Sequence, residues 1–86
     1  MGVPVGWSRA AAGERIYDRI EARTRMLSVQ PRLGPRRGDV RPSMRVLVES
    51  PYLIFYETIP DTDSGPVEKV EIVRVVDGRR DLPRLF

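Results

Sequence analysis

The chain is short, highly charged and free of two residue types that carry much of protein chemistry. Its 86 residues are 41% apolar and 31% charged, a composition typical of one small globular domain. It has neither cysteine nor histidine, which excludes disulfides, thiolate metal sites and the commonest catalytic base. It has no apolar run of membrane-spanning length and no signal-peptide pattern, so we expect a cytoplasmic protein without cofactor or metal.

The basic charge is concentrated in the first half of the chain. Residues 1–45 contain ten arginines against four acids, a net charge of +6, whereas residues 46–86 contain five basic residues against eight acids, a net charge of −3. A basic half suits an acidic partner, either a nucleic acid or an acidic protein segment. The preference for arginine over lysine favours bidentate pairing with carboxylates or phosphates, although a GC-rich genome would give the same bias.

One helix is predicted near the start of the chain. Residues 1–8 carry glycine and proline at spacings that favour neither helix nor strand, so a loose lead-in is expected there. Residues 9–29 are predicted to form the main helix, because apolar side chains recur at three- and four-residue steps. That stripe consists of Ile16, Ile20, Thr24 and Leu27. Pro31 and Gly34 end the helix, and a basic loop over residues 36–42 follows.

Three strands are predicted after this loop. Residues 44–49, 52–59 and 67–76 are rich in branched and aromatic side chains and are separated by turn-forming residues. The second has apolar residues on both faces, which is typical of a central strand. Residues 1–86 are therefore expected to form a single α+β domain, with one main helix packed on a three-stranded antiparallel β-meander.

Several stretches, in this order and spacing, resemble the RelE/ParE superfamily of bacterial toxins, and in particular its ParE branch of plasmid-stabilisation proteins. The stretch RIYDRIEARTRMLSVQPRLG resembles the family's second helix, and RRGDVRPSMRVLVESPYLIFYE resembles the arginine-led entry to a tyrosine-led strand. The stretch VEIVRVVDGRRDLPRLF resembles the last strand and the turn after it. The resemblance covers residues 14–86. Residues 1–12 are too short and broken to supply the family's first strand and helix, so an N-terminally shortened toxin fold is expected.

The resemblance implies the toxin of a type II toxin–antitoxin system, neutralised by a small ParD-like antitoxin. It implies inhibition of DNA gyrase in the ParE branch, or ribosome-dependent mRNA cleavage in the RelE branch. Cleavage needs a general base, and arginine, with a pKa above 12, is a poor one, so gyrase inhibition is favoured over catalysis. An inactive truncated relic and a plain nucleic-acid-binding module are the remaining alternatives. Apolar surface on the unpartnered helix would also favour self-association.

The candidate functional residues that follow from this resemblance are mostly arginines. Candidates for binding the target are Arg74, Arg79, Arg80 and Phe86. Candidates for binding the antitoxin are Arg15, Arg19, Arg23, Arg36, Arg37 and Arg41. Arg45 and Asp81 are expected to form a structural ion pair that fixes the C-terminal tail. For each arginine the alternative is a structural or solvated charge, since a basic run in a loop is usually solvated and a mid-strand arginine usually needs a partner.

Overall fold

The computed structural model describes residues 2–12 and 18–79, and it confirms an α+β fold. The strands are β1 (Val5–Trp7), β2 (Arg45–Glu49), β3 (Tyr52–Ile59) and β4 (Lys69–Asp77), and the helices are α1 (Arg9–Ala12) and α2 (Asp18–Arg25), followed by a 3₁₀ turn at Met26–Ser28. Strand β3 has the predicted bounds, and the predicted bounds of β2 and β4 are within one or two residues of those observed.

The sheet has four strands in the order β1-β4-β3-β2. Strands β2, β3 and β4 form the predicted antiparallel meander. Strand β1 extends the sheet by pairing parallel with β4, with Val5 opposite Val70 and Trp7 opposite Ile72. The helices precede the meander in sequence and pack on one face of the sheet, which is called the helix face below.

The expectation of a loose lead-in over residues 1–8 is wrong for its second half. The amide of Val70 donates to the carbonyl of Pro4 at 2.9 Å, and the amide of Ser8 donates to the carbonyl of Ile72 at 2.8 Å. A first strand is therefore present, although the sequence predicted that it would be lacking. Its three residues become a strand because β4, more than sixty residues away, offers them a partner, and no local pattern encodes that pairing.

The single helix predicted over residues 9–29 is represented by α1 and α2, and the helical pattern gives way to the 3₁₀ turn after Arg25. Within the predicted apolar stripe, Ile20, Thr24 and Leu27 are buried, whereas Ile16 lies outside the described residues. The stripe faces Leu47, Ile54, Tyr56 and Ile72 of the sheet, among others. Full burial of each large aliphatic side chain contributes about 1.5–3 kcal/mol, so this layer is the main source of stability in the described part of the chain.

A second, smaller apolar cluster lies on the opposite face of the sheet. It is formed by Met44, Val46, Phe55 and Val76, with Val40, Leu53 and Val73 at its margin. The strands β3 and β4 slip by one residue at this point, since Phe55 pairs with Arg74 while Tyr56 pairs with Ile72. Such a β-bulge bends the strand and re-aims its side chains. The bulge brings Val73 and Arg74 together beside Phe55.

Candidate partner-binding surfaces

An apolar basin of about 190 Å³ lies on the face of the sheet opposite the helices. It is lined by Val40, Arg41, Met44, Phe55, Val73 and Arg74. Its floor comes from β3 and the bulge of β4, and one wall comes from the basic loop that precedes β2. The basin therefore joins two predicted functional residues, Arg41 and Arg74, that are 33 positions apart in the sequence.

The guanidinium of Arg41 is held only loosely at the wall of this basin. Its Nε lies 3.9 Å from a carboxylate oxygen of Glu57, and its side chain is 55% exposed. The hydroxyl of Ser43 donates a short hydrogen bond to the same carboxylate oxygen. An exposed ion pair of this length contributes about 0–1 kcal/mol. Arg41 could therefore exchange Glu57 for a partner's carboxylate at little cost.

Arg36, in contrast, is engaged by acids of its own chain. Its Nη1 donates to Asp61 at 2.8 Å and to the carbonyl of Pro42 at 3.0 Å, and its Nε donates to Asp63 at 2.9 Å. The hydrogen bond from Arg36 holds the pKa of the Asp63 carboxyl below its ordinary value. The hydrogen bond to Asp63, and after it the hydrogen bond to Asp61, raises the pKa of Arg36 above its ordinary value. This arginine ties the basic loop to the β3–β4 turn.

Arg32 reinforces the same connection. Its Nε donates to the carbonyl of Thr62 at 2.9 Å, and its Nη2 donates to the carbonyl of Gly65 at 2.9 Å. We call Arg32, Arg36 and Arg45 the arginine clamp, because each contacts the turn between β3 and β4. Two members of the clamp, Arg36 and Arg45, pair with acids of this turn, so part of the positive charge in the first half of the chain is neutralised within the chain.

Arg37 forms a local bidentate pair with Asp39. Its Nε and Nη2 donate to the two carboxylate oxygens of Asp39, each at 2.9 Å. These hydrogen bonds lower the pKa of Asp39 and raise that of Arg37. Of the three loop arginines predicted to bind the antitoxin, Arg36 is therefore paired with the β3–β4 turn, Arg37 is paired within the loop, and Arg41 is the one at the basin.

Arg45 is the buried member of the clamp. It is 6% exposed, its Nη1 donates to the carbonyl of Gly34 at 2.9 Å, and its Nη2 donates to Asp63 at 3.3 Å. Asp81, its expected partner, lies outside the described residues, so that pair stays a prediction. Asp63 is a carboxylate partner that the sequence did not suggest, because it belongs to a turn 18 positions later.

Two arginines of helix α2, Arg19 and Arg23, lie near the end of the sheet where β2 and β3 join. The guanidinium carbon of Arg19 lies 5.4 Å from the centre of the Tyr52 ring, which is a cation–π geometry. The Nε of Arg23 lies 3.6 Å from a carboxylate oxygen of Glu49, and its Nη1 contacts the sulfur of Met26. Arg15 lies outside the described residues. These two arginines are not at the basin, so the antitoxin candidates are divided between two places.

The target-binding candidates are also divided. Arg79 forms a bidentate pair with Asp77, with Nη2–Oδ2 at 3.0 Å and Nε–Oδ1 at 3.2 Å, and its amide also donates to this carboxylate. The pair raises the pKa of Arg79 and stabilises the turn that ends β4. Arg80 and Phe86 lie outside the described residues. Of the four candidates, Arg74 alone is both described and at the basin.

A second cavity, which the sequence did not predict, lies on the helix face beside β1. A cleft of about 370 Å³ is lined by Val5, Trp7, Glu21, Thr24 and Arg25. Because no first strand was predicted, there was no reason to expect a cleft at this edge of the sheet. The alternation of apolar Val5 and Trp7 about Gly6 is the one local signal of β structure in this segment.

The described residues contain no group of three or more histidine, cysteine, aspartate or glutamate side chains that could hold a metal ion. Among the helices of the described residues, none is long and apolar enough to cross a membrane.

The comparison with known proteins agrees with this architecture. Residues 5–82 match the family described as the ParE toxin of the type II toxin–antitoxin system parDE. The chain is also 38% identical over 65 residues to Toxin ParE3 of Caulobacter vibrioides, a match that covers 76% of this chain and 58% of that protein. The chain thus spans less than two thirds of that relative's length. The family match begins at Val5, the first residue of β1, which is the strand that was not predicted from the sequence. The chain belongs to the ParE toxin family of type II toxin–antitoxin systems.

Proposed function

We propose that this chain acts in the cytoplasm as the toxin of a type II toxin–antitoxin pair, that DNA gyrase is its target, and that a small ParD-like antitoxin neutralises it. The observation that carries the proposal is the meeting of Arg41 and Arg74 at one apolar basin. Arg41 was expected to contact the antitoxin and Arg74 the target. Their proximity supports one surface for both partners, with the antitoxin acting by occupying the place that the target needs.

The chemistry of the basin suits an amphipathic segment that carries acids. An apolar side chain of the partner would pack on Phe55 and Met44, and flanking carboxylates would pair with the guanidinium groups of Arg41 and Arg74. A disordered antitoxin tail that folds on binding can supply both groups along one face. Its ordering costs free energy, which the apolar contact must offset.

The other arginines would contribute to partner binding in different ways. Arg36 and Arg37 keep the basic loop in shape through Asp63 and Asp39, so they act on binding through the position of Arg41. Arg19 and Arg23 would contact a more distant part of the same antitoxin tail. Arg80 and Phe86 remain candidates for the target.

The first test is loss of viability. We expect colony-forming units to fall after the chain is induced in a bacterial host without antitoxin, and to recover when a cognate antitoxin is co-expressed and co-purifies with it. In vitro, the purified chain should block supercoiling by gyrase and increase cleaved DNA. Arg41→Glu and Arg74→Glu should each weaken both gyrase inhibition and antitoxin binding, because each places a repulsive charge at the basin.

A matched control is Lys69→Glu. It makes the same charge change at the first residue of β4, which is exposed and does not line the basin. It should retain inhibition and antitoxin binding. Ribosome-dependent mRNA cleavage with unaffected gyrase would assign the ribonuclease activity instead. No loss of viability and no antitoxin binding would mean that the chain is an inactive relic. Affinity for nucleic acid alone, falling steeply with salt, would point to a plain binding module.

A further inference from the structure

The rest of the chain covers the backbone groups of the two sheet edges to different extents. At the β2 edge, the amide of Val46 donates to the carbonyl of Pro35 at 3.0 Å, and the amide of Arg37 donates to the carbonyl of Met44 at 2.7 Å. The loop before β2 thus covers the first part of that edge, as proteins commonly do to prevent strand pairing with other chains.

At the β1 edge, a short window is left uncovered. The bonds of Pro4 and Ser8 to β4, together with the parallel register, direct the backbone groups of Val5 and Trp7 away from the sheet. Just before this window, Ser28 binds both backbone groups of Val3. The carbonyl of Ser28 accepts from the amide of Val3 at 2.7 Å, and the hydroxyl of Ser28 donates to the carbonyl of Val3 at 2.8 Å. Within the described residues, no backbone hydrogen bond reaches the outward groups of Val5 or Trp7.

Apart from being short, the window lacks the features that normally protect an edge strand. Strand β1 has no charged residue and no proline within its three residues, Val5–Trp7. Its central residue, Gly6, is exposed, and a Cβ placed there would meet no described atom within 4 Å. Another backbone can therefore approach β1 closely at its midpoint.

We propose that β1 is a homodimer interface, in which a second copy of this chain pairs its own β1 antiparallel to the first about a two-fold axis at Gly6. In this register, Val5 of one copy lies opposite Trp7 of the second copy, and both residues carry the outward amide and carbonyl groups. The same pair occurs twice, as two-fold symmetry requires. The two four-stranded sheets become one continuous sheet of eight strands.

The charges beside the window favour a second copy over an acidic or basic partner. Helix α2 places Glu21 and Arg25 along the cleft next to β1, where they form an exposed ion pair of 3.3 Å. A surface that presents one acid and one base is complementary to itself under a two-fold rotation, since Glu21 of each copy can meet Arg25 of the other. A partner of one charge sign would be repelled by one of them.

This inference does not depend on the proposed toxin activity. The window is at the β1 edge and the cleft is on the helix face, whereas the basin with Arg41 and Arg74 is on the opposite face. A dimer would therefore present two basins. Dimerisation and gyrase inhibition can fail separately.

The test is sedimentation equilibrium of the purified full chain over a range of concentrations, with fluorescence of Trp7, its sole tryptophan, as a second readout. We expect a reversible dimer, with Trp7 emission shifting to shorter wavelength as the dimer forms. Glu21→Arg and Arg25→Glu should each weaken dimerisation by about tenfold or more, because each turns two attractive contacts into repulsive ones. The double variant should restore it, since it only exchanges the two charges.

Two further variants separate the edge from the fold. Val5→Pro removes an outward amide that the sheet does not use, so it should abolish the dimer while the thermal unfolding of the monomer is retained. Asp18→Arg, a charge reversal on the same helix at a residue that does not line the cleft, should leave the dimer intact. A wild-type chain that stays monomeric at all concentrations, or a double variant as weak as the single ones, would overturn the proposal.

Discussion

The amide of Gly34 donates a hydrogen bond to the hydroxyl oxygen of Tyr56 at 2.8 Å, in the interior where the basic loop meets the sheet. Tyr56 is fully buried, and burial raises the pKa of its hydroxyl above the ordinary value. Arg45 contacts the carbonyl of the same glycine. Gly34 and Tyr56 therefore fix the start of the loop that carries Arg36, Arg37 and Arg41.

Tyr56→Phe should lower the free energy of unfolding by about 1–3 kcal/mol. The substitution leaves the buried amide of Gly34 without an acceptor, and an unsatisfied buried donor has that cost. The measurement is urea unfolding followed by far-UV circular dichroism. A cost well below about 1 kcal/mol would show that the bond to Gly34 contributes little.

Gly34→Ala should be more disruptive than its small size suggests. A Cβ at this position would collide with the carbonyl oxygen of Val46 and lie 2.8 Å from its carbon, so the backbone must move. Overpacking of this kind typically costs about 1–3 kcal/mol. Gly38→Ala is the matched control, because its Cβ meets no described atom within 4 Å. Thermal unfolding should be lowered clearly by the first substitution and hardly by the second.

The part of the fold that could be predicted is the part written in local pattern. Strand β3 is continuous in branched and aromatic residues, and its bounds were predicted correctly. Strand β1 could not be predicted, because it has three residues, follows a proline, contains a glycine and owes its conformation to β4. The helical stripe was predicted through Leu27, but the change to a 3₁₀ turn after Arg25 has no clear signal in the sequence.

The candidate site shows the same division. Arginine richness and its concentration in one loop were visible in the sequence, whereas the acids that neutralise Arg36 were not, since Asp61 and Asp63 lie at least 25 positions later. The meeting of Arg41 with Arg74 depends on a one-residue slip between β3 and β4. Such a slip arises from the packing of whole strands and leaves no motif.

Asp63→Asn should make the stability of the protein less dependent on pH in acid. The Arg36 hydrogen bond lowers the pKa of Asp63 below its ordinary value of 3.8, so the folded state prefers the charged carboxylate. The resulting stability is present above pH 3.8 and is lost as the pH falls through the lower pKa of the folded state. Melting temperatures measured from neutral pH down into this acid range should therefore fall less for the variant than for the wild type.

The control for this titration is Asp39→Asn. Asp39 also has a lowered pKa, but its partner Arg37 is only two residues away, so part of their attraction can persist in the unfolded chain. Asp39→Asn should therefore reduce the fall of melting temperature in acid less than Asp63→Asn does, because the partners of Asp63, Arg36 and Arg45, come from distant positions. If Asp39→Asn reduced the fall of melting temperature in acid as much as Asp63→Asn did, the arginine clamp would contribute no more to acid stability than the local Arg37–Asp39 pair.

Glu71→Gln should stabilise the protein. Glu71 lies directly opposite Glu57 in the β3–β4 register, so two carboxylates face each other across neighbouring strands. Like charges in this position are unfavourable, and removing one should raise the free energy of unfolding by about 0.2–1 kcal/mol. Salt screens the repulsion, so the gain measured by urea unfolding should shrink as ionic strength rises. Glu68→Gln, on an exposed residue before β4, should change stability little at any salt concentration. A stability gain that is the same at low and high salt would mean that Glu71 acts through packing and not through charge.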